Sequence, residues 1–266
     1  MKKQAGIHLK DVQAVYSGPE GELWELVMGE QIHIGGMTSS MDLADNAGIK
    51  AGLRGVDLCC CSGAGMRFLV LMRQVAQMRG VDATPTVISL GRARVKKLNL
   101  GAKIEFVEAD VCHTGLPSGS ADFVWGEDAW CYVEDKAALA KEAARLVKPG
   151  GVVAFTDWVE GANPLTDAEA SRFLKFMKFP SLASIKDWSS MLSASGLKIQ
   201  HAEDTGRFAP YVDLYLDMLT KQLTFDALRV IHFDQALMGT LAQEMAFMQQ
   251  LAHEEKLVQG LFVAHK

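Results

Sequence analysis

The chain has 266 residues, 49% of them hydrophobic, which is enough to bury a sizeable core in one α/β domain with an insertion. Its formal net charge of -5 argues against nucleic acid as a partner, because proteins that bind phosphates concentrate Lys and Arg on one face. The sequence has no run of about 18 apolar residues and no apolar signal core near its start, so we predict a cytoplasmic protein without a membrane partner.

Apolar strands alternate with helical segments between Leu53 and Phe155, a pattern that predicts a doubly wound α/β fold with a parallel sheet. Strands are predicted at 55–58, immediately before 80–82, and at 104–110, 121–125, 152–158, 197–202 and 257–264. Helices are predicted at 66–77, 85–101, 136–147, 167–179 and 185–195, with a turn at 148–151. Residues 208–255 have helical spacing throughout, so a helical block interrupts the sheet before its last strand.

Two acidic residues flank a glycine-containing turn at the end of the first strand. Asp57 lies in that strand, Gly63 and Gly65 follow it, and Asp82 ends the next strand. In an open parallel sheet, ligands bind beyond the carboxyl ends of the strands. Asp82 is therefore placed to accept hydrogen bonds from the ribose hydroxyls of a nucleoside, and capping of the following helix is the structural alternative.

Two nucleoside ligands compete for this turn. A nicotinamide dinucleotide needs G-x-G-x-x-G, and the turn has only Gly63 and Gly65 after three cysteines. Asp57 would repel a pyrophosphate, whereas it would attract the amino and sulfonium cations of S-adenosylmethionine. Asp110 ends the third strand, where an adenine amino group could lie. S-adenosylmethionine is the favoured cofactor.

The same region carries a set of family motifs between His33 and Trp158. They are Gly55-Val56-Asp57-Leu58 with Arg67-Phe68-Leu69-Val70, Phe123-Val124-Trp125-Gly126-Glu127-Asp128-Ala129-Trp130, Asp135-Lys136, Lys148-Pro149-Gly150-Gly151 and Ala154-Phe155-Thr156-Asp157. With them the chain resembles the class I methyltransferases of the type 11 family, and more narrowly the sarcosine and dimethylglycine N-methyltransferases. The resemblance implies a Rossmann-like, mostly parallel seven-stranded sheet with an antiparallel last strand.

The resemblance also implies a division of the chain and the roles of its residues. We expect a single methyltransferase domain with an N-terminal lid at 1–52, a cofactor-binding core at 53–205, a helical insertion at 206–256 and a closing strand at 257–266. The predicted cofactor-binding residues are His33, Gly35, Thr38, Asp57, Cys59, Gly63, Asp82, Ala83, Asp110, Val111 and Glu127. The predicted catalytic residues are Asp128, Trp130 and Tyr132, and Tyr132 stands where the related amine methyltransferases carry a histidine.

The insertion is predicted to supply the acceptor pocket, and it is compatible with a homodimer contact. The predicted substrate residues are Trp158, Arg207, Tyr211 and Tyr215. Arg207 could pair with an acceptor carboxylate, and a tyrosine could face a methylated amine; a surface arginine with core tyrosines is the alternative.

The turn departs from the family pattern, which would place glycines at Cys59 and Cys61. A left-handed conformation at either position would cost a residue with a β-carbon about 1–2 kcal/mol. A glycine used instead for close approach would make the thiol contact the cofactor. Five cysteines, three of them consecutive, fit neither a disulfide framework nor a zinc pattern, so no metal is predicted. A soft-metal or metalloid site is the alternative.

The predicted function is methyl transfer from S-adenosylmethionine to a small soluble acceptor, an amine or amino acid such as sarcosine or dimethylglycine. The alternatives within the class are thiol and hydroxyl acceptors. The alternative outside it is a sensor that binds S-adenosylmethionine or S-adenosylhomocysteine without turnover.

Overall fold

The computed structural model describes residues 1–266 and contains one seven-stranded sheet. Its strands are β1 (Arg54–Leu58), β2 (Gln77–Asp82), β3 (Ile104–Glu108), β4 (Ala121–Glu127), β5 (Val147–Glu160), β6 (Lys198–Asp204) and β7 (Leu257–His265). They lie in the order β3-β2-β1-β4-β5-β7-β6, and β7 alone runs in the direction opposite to the other six strands. The predicted doubly wound sheet with an antiparallel last strand is confirmed, and its strand order reverses between β1 and β4.

Eleven α-helices surround the sheet. They are α1 (Leu9–Tyr16), α2 (Pro19–Met28), α3 (Gly36–Asn46), α4 (Ala64–Met72), α5 (Pro85–Lys97), α6 (Lys136–Leu146), α7 (Asp167–Met177), α8 (Ile185–Ala194), α9 (Phe208–Lys221), α10 (Thr224–Val230) and α11 (Gln235–His253). A two-residue strand at Lys2–Lys3 pairs with Ser181–Leu182 outside the main sheet. None of the helices combines the length and apolar character needed to cross a membrane.

Several predicted boundaries differ from the structure, and three of the differences have a local reason. The helix predicted at 66–77 ends at Met72, because Gln74 adopts a left-handed φ of 55° and turns the chain into β2. The turn at 148–151 is an irregular start of β5, between the pairs Ala121 with Val147 and Phe123 with Val152. The helical block at 208–255 is three helices, and one break contains His232 and Phe233, both with positive φ.

Three apolar clusters build the core. One fills the face of the sheet under α6 and α8, and a second fills the opposite face under α3, α4 and α5. The third lies under the insertion, where side chains of α9 and α11 pack against α7 and the start of the chain. The N-terminal helices and the insertion are thereby anchored to the sheet through Trp158 of β5 and Leu257 of β7.

Candidate active site

A cavity of about 390 Å³ lies beyond the carboxyl ends of β1, β2, β3 and β4. This volume is in the range of small-molecule sites, and the position is the switch point of the strand order. The chain segments before α3 cover the cavity from one side with Leu9, Val12, Tyr16 and residues 30–33. Among the predicted site residues, those that line it are His33, Asp57, Cys59, Asp82, Ala83, Asp110, Val111, Glu127, Asp128 and Tyr132.

Asp57 and Asp82 meet in this cavity because β1 and β2 are adjacent parallel strands. Asp57 is 4% exposed, and burial together with the nearby Glu127 and Asp82 carboxylates holds its pKa well above the usual range. Asp82 accepts hydrogen bonds from the amide N of Cys61 and of Thr84, both at 2.9 Å. Burial nevertheless raises the pKa of Asp82. Asp82 thus ties the turn after β1 to the loop after β2.

The turn between β1 and α4 is left-handed at both cysteines that replace family glycines. Cys59 has φ 62° and Cys61 has φ 47°, and both line the cavity together with Cys60. The left-handed backbone supports the first explanation left open by the sequence, steric strain at both positions, and contact of a thiol with the cofactor stays a prediction. No group of three His, Cys, Asp or Glu side chains is arranged to hold a metal ion.

Cys59→Gly and Cys61→Gly are each expected to raise the free energy of unfolding by about 1 kcal/mol, because glycine removes the steric cost of a β-carbon at positive φ. Cys60→Gly is the matched control. Cys60 lacks a positive φ, is 5% exposed and packs its sulfur where a β-carbon at Gly80 would lie, so its replacement should destabilise the fold. Urea unfolding measures all three. Equal destabilisation by the three substitutions would contradict the strain at Cys59 and Cys61.

Two glycines of this turn have different tasks. Gly63 has φ 76°, and a β-carbon there would lie 2.6 Å from the Phe106 ring, so it serves the backbone and does not line the cavity as predicted. Gly65 does line the cavity, and its β-carbon would lie 2.7 Å from Glu127 Oε2. The sequence motif contains both glycines. Only the structure, which places Glu127 next to Gly65, shows which of the two lies at the site.

Asp128 holds the segment before α3 against the sheet. Its Oδ2 accepts a hydrogen bond from the Ile34 amide at 2.8 Å, and Gln259 Nε2 in β7 donates to both carboxylate oxygens at 3.0 and 2.9 Å. Asp128 is 6% exposed and has φ 50°, and burial raises its pKa. The structure thus gives Asp128 a positioning contact, while its predicted catalytic role stays a prediction.

The start of α3 is joined to the site through Glu127. Ser40 Oγ donates a hydrogen bond to Glu127 Oε1 at 2.6 Å, and His33 Nε2 lies 3.3 Å from the same oxygen. The hydroxyl that reaches the site thus belongs to Ser40 instead of Thr38, which is exposed. Gly35 is buried and does not line the cavity. Its left-handed φ of 86° forms the turn into α3.

The remaining predicted aromatic residues lie outside the cavity lining, because Trp130, Trp158 and Tyr215 are buried in the core and Tyr211 is half-buried against it. Trp130 is fully buried, its Nε1 donates to the Leu58 carbonyl at 3.2 Å, and its ring stacks on Phe155. Trp158 packs against other rings of the third core cluster. Tyr215 is buried with its hydroxyl donating to the His33 carbonyl at 3.3 Å, and Tyr211 packs against it.

Arg207 does not reach the cavity either. Its guanidinium pairs with Asp42 of α3, and its Nη1 is buried without a hydrogen-bond partner. Arg207 therefore fastens the insertion to α3 and lies outside the cavity lining, while its predicted contact with an acceptor carboxylate stays a prediction. The sequence missed Tyr16, whose hydroxyl donates to Tyr132 Oη at 2.9 Å within the cavity wall.

The charge of the cavity lining is strongly one-sided. No Lys or Arg lines it, and His33 and His113 are its only basic side chains. The carboxylates that line it are Glu30, Asp57, Asp82, Asp110, Glu127, Asp128, Glu134 and Asp135. Such a surface attracts a cationic ligand and repels a pyrophosphate.

Residues 56–155 match a family model described as a methyltransferase domain. The predicted resemblance to methyltransferases is thereby confirmed for this segment, which runs from within β1 into β5 and contains most of the cavity lining. Phosphoethanolamine N-methyltransferase 1 of Arabidopsis thaliana is 27% identical over 202 residues, which are 75% of this chain and 40% of that protein. The chain spans about two fifths of the length of the curated relatives that it matches in this way.

Solved structures show the same fold at low sequence identity. Phosphoethanolamine N-methyltransferase 2 of Haemonchus contortus with S-adenosylmethionine has a TM-score of 0.85 at 20% identity, over 98% of this chain and 60% of that one. A proposed sarcosine dimethylglycine methyltransferase of Galdieria sulphuraria has a TM-score of 0.80 at 18% identity, over 93% and 98%. The [4+2]-cyclase SpnF has a TM-score of 0.77 at 15% identity, over 97% and 96%, so the fold alone does not define the reaction.

Proposed function

We propose that this chain transfers the methyl group of S-adenosylmethionine to a small-molecule acceptor. One observation carries the proposal: within the methyltransferase domain, a cavity at the switch point is lined by carboxylates and by no Lys or Arg. Bound S-adenosylmethionine supplies a methyl group on a cationic sulfonium, and it also carries a cationic amino group. Both charges fit this lining, whereas the pyrophosphate of a nicotinamide dinucleotide does not.

The residues of the cavity divide the tasks that such a transfer needs. Asp57 and Glu127 would offset the cationic charges of the cofactor, Asp82 would accept from the ribose hydroxyls, and Asp110 with Val111 would meet the adenine. Residues 30–33 and Tyr16 would cover the cavity and exclude water, which leaves alignment of the acceptor as the main catalytic effect.

The acceptor is the finer part of the proposal. Because Arg207 is paired with Asp42 and no Lys or Arg lines the cavity, the carboxylate of an amino acid or the phosphate of phosphoethanolamine would have only His33 and His113 as basic neighbours, among eight lining carboxylates. Amine, thiol and hydroxyl acceptors without an acidic group fit the lining, and the amine is supported by the relatives named phosphoethanolamine N-methyltransferases. The homodimer contact and the cytoplasmic location stay predictions.

Calorimetry and turnover test the proposal. S-adenosylmethionine and S-adenosylhomocysteine should bind, and NAD should not. Incubation with a labelled methyl donor and a metabolite extract should yield labelled products by mass spectrometry. Cofactor binding without any labelled product would favour the sensor. Binding of NAD and not of S-adenosylmethionine would refute the proposal.

The same titration has an expected pH dependence. Burial raises the pKa of Asp57 and Asp82, and a cationic ligand favours their ionised forms, so bound S-adenosylmethionine should lower both pKa values. Binding of S-adenosylmethionine should therefore release protons, and its Kd should fall as the pH rises, by at most about tenfold per pH unit for each proton displaced. A Kd that rises with pH would contradict the carboxylate assignment.

A further inference from the structure

A second cavity, of about 270 Å³, lies between the N-terminal helices and the insertion. Its lining comes from α1 and α2 on one side and from α9, α10 and α11 on the other, with Phe176 and Met177 of α7 at one end. Of its 18 lining residues 15 are hydrophobic, and the other three are Glu20, Thr220 and Thr224. This space is nearly twice the roughly 150 Å³ of an apolar cavity that binds benzene, so it can hold about ten carbon atoms.

Tyr132 belongs to the walls of both cavities. Its hydroxyl accepts the hydrogen bond of Tyr16 at 2.9 Å, and Tyr16 lines the first cavity while the preceding residue, Val15, lines the second. Tyr132, hydrogen-bonded to Tyr16, therefore lies where the acidic cavity and the apolar one adjoin.

Charge restricts what such a molecule can be. Neither cavity is lined by Lys or Arg, so an acidic group on the acceptor would lie among carboxylates and apolar side chains, with only His33 and His113 of the first cavity as basic neighbours. A long apolar body is favoured in the second cavity because burying each methylene strengthens binding.

We propose that the second cavity binds the apolar body of the methyl acceptor, a chain or ring system of about ten carbon atoms. The end of the acceptor that carries a hydroxyl, thiol or amine extends past Tyr16 and Tyr132 into the first cavity. This inference rests on the proposed methyl transfer. It assigns the acceptor class as amphipathic molecules without an acidic group.

The test titrates straight-chain primary alcohols, from hexanol to dodecanol, into the protein with and without S-adenosylhomocysteine. Affinity should rise about fourfold for each added methylene and level off near ten carbons. Ala242→Trp places an indole at the cavity wall and should lower decanol affinity at least tenfold. Ala246→Trp is the matched control, because Ala246 is, like Ala242, an exposed alanine of α11, lies one helical turn further along and lines neither cavity.

Circular dichroism should show that both variants are folded, and Leu219→Trp in α9 fills the same cavity from the opposite side if Ala242→Trp does not fold. Alcohol affinity that does not depend on chain length, or that is equal in wild type and both filling variants, would overturn the assignment. Titration of S-adenosylhomocysteine into the same variants separates this from the cofactor site, since the filling variants should bind it like wild type. If neither wild type nor the variants bind S-adenosylhomocysteine, the proposed function is refuted instead. The alcohol titration without cofactor still tests the second cavity in that case.

Discussion

Replacing Asp82 with alanine is expected to weaken S-adenosylmethionine binding about 100-fold. The carboxylate would accept hydrogen bonds from two ribose hydroxyls, and each hydrogen bond to a charged group contributes about 1.5–3 kcal/mol. It also holds the turn after β1, because the amide of Cys61 donates to it. The substitution therefore removes direct contacts and loosens the strained turn at Cys59 and Cys61 that faces the ligand. Calorimetric titration of the purified variant measures the loss.

Two further variants make this result specific. Asp82→Asn keeps one carbonyl oxygen and should bind with intermediate affinity. Glu108→Ala removes an exposed acid from the end of the adjacent strand β3, outside the cavity lining, and should bind like wild type. A folded Asp82→Ala protein with wild-type affinity would exclude Asp82 from the cofactor site.

The acidic half of the site could be predicted because it depends only on where strands end. Asp57, Asp82 and Asp110 lie at or just after the ends of β1, β2 and β3, and parallel pairing brings all three to one edge of the sheet. Hydrophobic periodicity sets those strands, so local sequence was sufficient. The two cysteines with a left-handed backbone were found in another way, because they stand where the pattern of the resembling family has glycine.

The acceptor side could not be predicted, because its contacts join distant segments. Arg207 and Asp42 are 165 positions apart, and nothing near Arg207 in the sequence indicates that its charge is already paired. Tyr16 and Tyr132 are 116 positions apart, and the second cavity is closed by N-terminal and insertion helices that carry no motif. Trp130 follows a strand end like a site residue, but the short 3-10 turn after β4 folds its ring into the core.

The contact between Asp128 and Gln259 connects the sheet to the segment before α3 that covers the first cavity. Asp128 follows β4, Gln259 lies in β7, and both bond to Ile34 in the segment before α3: the Ile34 amide donates to Asp128, and Gln259 Nε2 donates to the Ile34 carbonyl at 2.9 Å. The side chain of Gln259 is completely buried. Three chain segments therefore meet at one hydrogen-bonded cluster beside the cavity.

Asp128→Ala is expected to lower the free energy of unfolding by about 3 kcal/mol, because the buried Ile34 amide and Gln259 side-chain amide lose their acceptor, at about 1–3 kcal/mol for each unsatisfied donor. Gln259→Ala should cost a similar amount, and the double variant should cost less than the sum of the two, since the partners share one contact. Gln200→Ala, an exposed glutamine in β6, should change stability by less than about 0.5 kcal/mol. Urea unfolding of the four variants measures these differences.

Cofactor affinity should fall in Asp128→Ala as well, because residues 30–33 lose the anchor that holds them over the cavity. Strict additivity of the two single substitutions would show that Asp128 and Gln259 act independently and that the cluster does not hold the cover in place.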